Sequence, residues 1–498
     1  MKRSVAICLI LTLALGWFTG VGTAPEGSPF FHSTNGDNIL PAEAMAIGLL
    51  ACTYNISLLQ HTTPTARSAS GQANLTGTPG EDVGAFVNGL LGPQETLCFD
   101  PGNYVLTTEI LISNVSNVIL WLLPGVIMST SAPIRLLHII GSPNTLVHGG
   151  NWTGPGIGTL PDIEVDQGSS NTTIEGAEAS RAGYDGILID HDTKPNLRVS
   201  VLNDSLDDNG RFGVQDYQST LAAPRWTLIS GNRVEDNAVG GIYTNRAGDV
   251  TISANEVWNT VAGTGAIGIG AEFGYNDTIT QNSVSHMSSF GIQIYFNNYT
   301  TVSNNYSGFN SGASDQSGIT NDHGFYDTIS GNNLVSNGRD GVHVERSSYV
   351  TVRGNTAEDN GQYGIEVYHG TMPSVQREVI SGNACSFNVA GGIILNSATD
   401  SAITGNGCID NSGPGILLYN DPGQIGSTRN LVSNNWSGDE RLSGMTQTYG
   451  IKEENQADQN EITSNVVCNN TVADIAVVGP STTTSGNSDC RFGGGPLK

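Results

Sequence analysis

A chain of 498 residues, 38% of them hydrophobic, can bury a large core or run as one extended repeat array. Its 20 basic residues against 46 acidic ones leave a net charge of -26, which repels nucleic acid and anionic membranes. The same charge disfavours an acidic polysaccharide unless a basic patch or a bound cation compensates locally.

The 64 glycines, with abundant Asn, Ser and Thr, call for many turns and therefore many short strands. At the N-terminus, Lys2 and Arg3 precede an apolar run from Val5 to Leu15, and Gly22 and Ala24 supply the small residues of a cleavage site. This is the pattern of a signal peptide over residues 1–24. The run is short for a membrane span and no later stretch reaches ~20 apolar residues. A secreted or cell-surface protein, monomeric and without a membrane span after signal removal, is expected. Residues 25–80, rich in Thr, Ser, Gly and Pro, read as a leader or loosely ordered segment, and residues 481–498 as a C-terminal tail.

Removal of the signal leaves six cysteines, an even number that suits an oxidising compartment. Cys385 and Cys408 each stand two residues after a Gly-Asn pair ("SGNACSFN", "TGNGCIDN") in consecutive repeats. Stacked at ~4.8 Å, they fall inside the ~4.4–6.8 Å Cα range of a disulfide. Cys52 with Cys98 and Cys468 with Cys490 complete the set, and buried free thiols are the alternative.

A repeat governs residues 81–480. Gly-φ-x-φ, where φ is apolar, or a close variant recurs at Gly186, Gly213, Gly241, Gly268, Gly291, Gly318, Gly341, Gly364, Gly392 and Gly415. The spacings are 27, 28, 27, 23, 27, 23, 23, 28 and 23, as a fixed rung with an optional short loop gives. Asn232, Asn255, Asn282, Asn305, Asn332, Asn355, Asn383 and Asn406 each follow a short β-branched run in the same phase. A further asparagine stands four residues before many of the glycines, at Asn209, Asn237, Asn337, Asn360, Asn388 and Asn411.

Strands this short need stacking. In parallel register they bury Ile252, Ile279, Val302, Ile329, Val352, Ile380 and Ile403 as one column, with asparagines at left-handed corners hydrogen-bonding from rung to rung. No Leu-x-x-Leu-x-Leu frame or helical stretch supports a leucine-rich repeat. The expected fold is an all-β, right-handed parallel β-helix.

From about residue 81 to 470 the chain resembles the pectate-lyase-like β-helix superfamily. "EDVGAFVNGLL" (81–91) resembles its N-terminal capping helix, "TLCFDPGNYVLTTEILI" (96–112) its strand-Pro-Gly-x-Tyr opening, and "TLVHGGNWTGPG" (145–156) its early Gly-Gly rung. The resemblance implies a carbohydrate-active protein but names no subfamily. A polygalacturonase is expected to carry Asn-Thr-Asp, Asp-Asp, Gly-His-Gly and Arg-Ile-Lys, of which only "LDDN" (206–209) echoes one pair. The Asp-Pro-His of a mannuronan epimerase is replaced by "IDHD" (189–192) and "NDHG" (321–324).

Strand alternation sends the residues two and four after each motif glycine outward. On consecutive rungs this puts Asp322, His323, Asp340, His343, Glu345, Arg346 and Glu366 on one face as candidate catalytic residues. Tyr217, Tyr243, Tyr295, Tyr368 and His369 are candidates for stacking on sugar. Carboxylates ~5 Å apart raise one another's pKa, and a nearby His or Arg can act as base or stabilise an enolate-like intermediate. Such a set suits abstraction of the C5 proton of a uronic acid, as in a lyase or epimerase, and paired carboxylates also suit glycoside hydrolysis. A second set, Asp185, Asp190, His191 and Asp192, follows the rung "YDGILID".

Carboxylate columns offer the oxygen ligands of Ca2+, although no Gly-Gly-x-Gly-x-Asp loop is present. No other cofactor is expected. Two functions follow: a secreted enzyme modifying a uronic-acid-containing polysaccharide, or a noncatalytic extracellular β-helix that binds glycan or serves as a spacer.

Overall fold

The computed structural model describes residues 52–489 apart from segments at 60–62, 69–73, 79, 192–193, 219–222, 260–266, 313–315, 370–376, 425 and 442. Nearly all of it is a parallel β-solenoid of three sheets with 15, 16 and 19 strands, here sheets I, II and III. One rung runs from Asn333–Val335 in sheet II through Val342–Glu345 in sheet I to Thr351–Arg353 in sheet III, and returns to sheet II at Thr356–Glu358.

The register realises the expected columns. Ile252, Ile279, Val302, Ile329, Val352, Ile380 and Ile403 are successive partners in sheet III, each at most 1% exposed. Each such side chain contributes roughly 1.5–3 kcal/mol by leaving water. The motif glycine is needed where strands of sheet I enter. A Cβ on Gly341 would lie 2.6 Å from the Gly364 carbonyl oxygen and 2.8 Å from the Ala357 Cβ.

Two buried ladders of asparagine hold the corners. Asn332 accepts from the Asn305 N–H and donates through Nδ2 to the Val302 carbonyl at 3.0 Å and to Asn355 Oδ1 at 2.9 Å, and its neighbours repeat the pattern. The second ladder climbs from Asn310 through Asn337, Asn360 and Asn388 to Asn411, where Gln447 continues it across a longer insertion. Asparagine takes the left-handed backbone at several corners, such as Asn144, Asn171 and Asn203, but the ladder asparagines do not. The preceding residue does, as at Asn304 (φ 56°), Gly331 (66°) and Gly354 (61°), and that bend turns the amide inward.

The ends differ from the sequence reading. The expected capping helix is only Val83–Asn88, N-capped by the Asp82 side chain, which accepts from the Ala85 N–H. Part of the segment read as a leader is ordered: Tyr54–Leu59, Thr63–Ser68 and Asn74–Thr76 form an antiparallel set, and the first pairs in parallel with Thr96–Phe99. Cys52 and Cys98 are joined there by a disulfide, with Cα atoms 5.8 Å apart. Strands Thr483–Ser485 and Ser488–Asp489 continue the solenoid into the expected tail.

Cys385 and Cys408 are register partners but remain buried free thiols, which overturns the expected bridge. In-register parallel neighbours hold their Cβ atoms near the ~4.8 Å strand spacing, outside the ~3.5–4.5 Å a disulfide takes. Cys468 is disulfide-bonded, and its expected partner Cys490 lies outside the described residues. Among the described residues no helix is long and apolar enough to cross a membrane.

Candidate functional site

The outer face of sheet I carries two columns, as strand alternation requires. Gln293, Thr320, His343, Glu366 and Ile394 are successive register partners in one. Tyr295, Asp322, Glu345 and Tyr368 are successive partners in the other. From Thr320 to Ile394 the first column is buried by its own stacking, with His343 at 2% and Glu366 at 7% exposure, whereas the second borders solvent.

The buried column centres on His343. Its Nδ1 lies 3.2 Å from Asp340 Oδ2 and 3.1 Å from Glu366 Oε2, and its Nε2 lies 3.5 Å from Glu345 Oε2. Arg339 clamps the same carboxylates, Nε 3.1 Å from Asp340 and Nη2 3.0 Å from Glu366, while Arg346 pairs with Glu345 at 2.8 Å.

Burial opposes charge on His343, but its bonds to Asp340, Glu345 and Glu366 outweigh burial and raise its pKa well above the ordinary value. Burial pushes Asp340 up to about 6. Glu366 resists the same effect, because His343 and Arg339 bring it down to about 2. Three carboxylates thus face three cations, and a histidine held protonated among them is a charged hub rather than a base.

The solvent edge is different. Asp322 Oδ1 meets His323 Nδ1 at 2.6 Å, and His323 lies at a left-handed corner (φ 59°) directly below Arg346 (φ 48°). The His323 ring stacks on Phe296 at 4.2 Å, and Phe296 stacks on Phe273 at 5.4 Å. Burial and the neighbouring Glu345 raise the Asp322 pKa, while the hydrogen bond from His343 lowers that of Glu345.

The tyrosines do not form one platform. Tyr368 stands beside Glu345, and Tyr295 packs edge-on against Phe296 at 4.6 Å. Tyr243 is already covered: its ring stacks on Phe212 at 4.8 Å and its hydroxyl donates to Glu272 at 2.5 Å. Tyr217 lies four rungs below Asp322, beside Arg135 and Glu164 in a cleft of about 270 Å3.

His369 is a correction. It is 1% exposed and lies just past the end of the strand at Tyr368, with Nε2 3.4 Å from Glu378 Oε2. The second candidate set is divided as well. His191 pairs with Asp216 at 2.7 Å in the interior, Asp185 accepts from the Phe212 N–H with burial raising its pKa to about 8, and Asp192 lies outside the described residues.

Sequence reasoning missed Arg339, which sits in the corner before the strand where alternation says nothing. It also missed Phe273 and Phe296, whose recurrence one residue after the second column was the available signal.

A family model described as the right-handed beta helix region matches residues 162–320, 241–391 and 317–489. No curated protein matches the chain in sequence. Among solved structures, it is similar to the A-module of the mannuronan C-5 epimerase AlgE6 from Azotobacter vinelandii, with 15% identity over 83% of this chain and 93% of that one, TM-score 0.42. The AlgE4 A-module from the same organism gives 16% identity over 81% and 93%, TM-score 0.44. The Dettilon tailspike protein gives 15% identity over 77% and 62%, TM-score 0.43. The family match, not these likenesses, carries the fold assignment.

Proposed function

The chain belongs to the right-handed β-helix family, and on that premise we propose that it is a carbohydrate-active protein modifying a uronic-acid-containing polysaccharide at the solvent edge of sheet I. The observation that carries this reading is the Asp322–His323 pair, 2.6 Å apart, next to Arg346 on the adjoining rung. The Asp322 carboxylate lies against Nδ1 without a well-aligned hydrogen bond, and its charge favours the imidazolium that forms when Nε2 accepts a proton. Arg346 draws charge from the uronate carboxylate, and this acidifies the hydrogen on C5 beside it. Loss of that proton leads either to elimination of the bond at C4 or to reprotonation from the other face. Glu345, itself held by His343, holds Arg346, and Phe296 and Tyr368 flank the reacting sugar.

A second reading has its own support. Asp322 and Glu345 are carboxylates on adjacent rungs whose pKa values are pushed in opposite directions, the pattern of an acid and a nucleophile in glycoside hydrolysis.

Proton NMR of alginate, pectate, glucuronan and neutral glycans incubated with the protein separates the outcomes. Unsaturated or inverted uronate signals support proton abstraction, and new reducing ends without unsaturation support hydrolysis. A folded protein that alters none of the panel returns the reading to a noncatalytic glycan-binding or spacer solenoid.

A further inference from the structure

The rungs before Gly186 carry a second ionisable group on the outer face of sheet I. His138 and Glu164 are register partners on neighbouring strands, and Asp166 stands two residues beyond Glu164 on the same face. One ligand atom from each of the three lies within 4.8 Å of the others. His138 is 8% exposed, and its Nε2 makes no hydrogen bond although it faces Asp166 Oδ2 across 3.7 Å. Its Nδ1 lies 3.8 Å from Glu109 Oε1.

These gaps exceed hydrogen-bonding distance. The Nε2–Asp166 gap is close to that of two ligands on one ion: two donors each about 2.1 Å from a tetrahedral centre lie about 3.4 Å apart. The His343 cluster has the same residue types but closes on itself, with contacts of 3.2 and 3.1 Å and an arginine across both carboxylates.

We propose that His138, Glu164 and Asp166 form a binding site for a divalent transition-metal ion of the Zn2+ type. One imidazole nitrogen with two carboxylates is a borderline donor set that suits Zn2+ or Mn2+, whereas Ca2+ takes six to eight oxygens. Arg135 now pairs with Glu164 and also lies 3.7 Å from Glu109. It moves wholly to Glu109 when the ion takes the Glu164 oxygen. Three protein ligands leave a further position open to water or to an anionic ligand group. Glu164 and Arg135 also line the cleft of about 270 Å3 shared with Asp190 and Tyr217, so such a group has room to approach. The site is independent of any catalysis at His323.

Calorimetric titration of the chelator-treated full chain with Zn2+, and separately with Ca2+, tests it. Saturable one-to-one Zn2+ binding is expected, weakened about tenfold or more in Asp166→Asn and in Glu164→Gln. It should be unchanged in Glu366→Gln, which alters only the His343 cluster. Absence of saturable Zn2+ binding to the wild-type chain overturns the proposal. So does binding that both ligand variants retain, binding lost instead in Glu366→Gln, or a site that prefers Ca2+.

Discussion

Replacing Asp204 by asparagine is expected to stabilise the solenoid at neutral pH and to do little in acid. Asp204 occupies a ladder position otherwise held by asparagine: its N–H donates to Asn232 Oδ1, and its own Oδ1 accepts from the Ala177 N–H at 2.7 Å. Its Oδ2 is buried without a partner, where Asn232 and Asn255 donate through Nδ2 to the Val201 and Ile229 carbonyls.

Burial raises the Asp204 pKa well above its ordinary value, ahead of the opposing bond from Ala177. A group whose folded pKa is raised contributes fully below its unfolded pKa, near 4, and loses that contribution as pH rises through the folded value. At neutral pH, above the unfolded value, the buried carboxyl therefore costs stability that it does not cost in acid. Asparagine removes that cost and adds one buried hydrogen bond of about 1 kcal/mol. The gain should therefore exceed about 1 kcal/mol at pH 7.5 and fall to about 1 kcal/mol or less at pH 4. Solenoids open rung by rung, so amide hydrogen exchange of Val201, Ile229 and their neighbours at both pH values is the assay. Equal gains at the two pH values, or none at pH 7.5, would refute the ladder argument.

Asn332→Ala takes the side-chain partner from the Val302 carbonyl and the Asn305 N–H, while Asn355 Oδ1 keeps the residue-332 N–H and Asn305 Nδ2 keeps the Ile279 carbonyl, and local stability should fall by about 2–4 kcal/mol. Exchange protection of the flanking rungs measures it, and a loss below about 1 kcal/mol counts against the ladder. In Glu366→Gln, His343 loses a negative partner at 3.1 Å, so its pKa should fall. Imidazole NMR is expected to show His343 titrating well above an ordinary imidazole in the wild type and at a lower pH in the variant. Peptide mapping after alkylation under denaturing, nonreducing conditions should find Cys385 and Cys408 modified and Cys52 linked to Cys98. A linked Cys385–Cys408 peptide contradicts the packing described.

The rung was legible because its physics is local and repeated. The inward Ile and Val column, the asparagine phase and the glycines before sheet I all recur at fixed spacing, and the register reproduces them. Outward direction was legible by the same alternation, which is why Asp322, Glu345 and Tyr368 fall in one column.

Exposure was not legible. His343 points outward yet is buried by Thr320, Glu366 and the Arg339 clamp, and no single-strand pattern encodes stacking from the rungs above and below. His369 and His191 are buried just past the ends of their strands, where alternation no longer sets direction. The His138 cluster escaped notice because "LHII" and "IEVD" lack the glycine that marks later rungs. The Cys385–Cys408 prediction failed because the Cα spacing permits a bridge that the parallel Cβ geometry does not.

The most direct test of the central claim is to run the reaction in D2O and follow the uronate H5 resonance. The account predicts that H5 is lost, through deuterium exchange or unsaturation, with wild-type protein and is retained with His323→Gln of unchanged fold. Shortened chains that keep H5, or a polymer left intact by folded wild-type protein, contradict it.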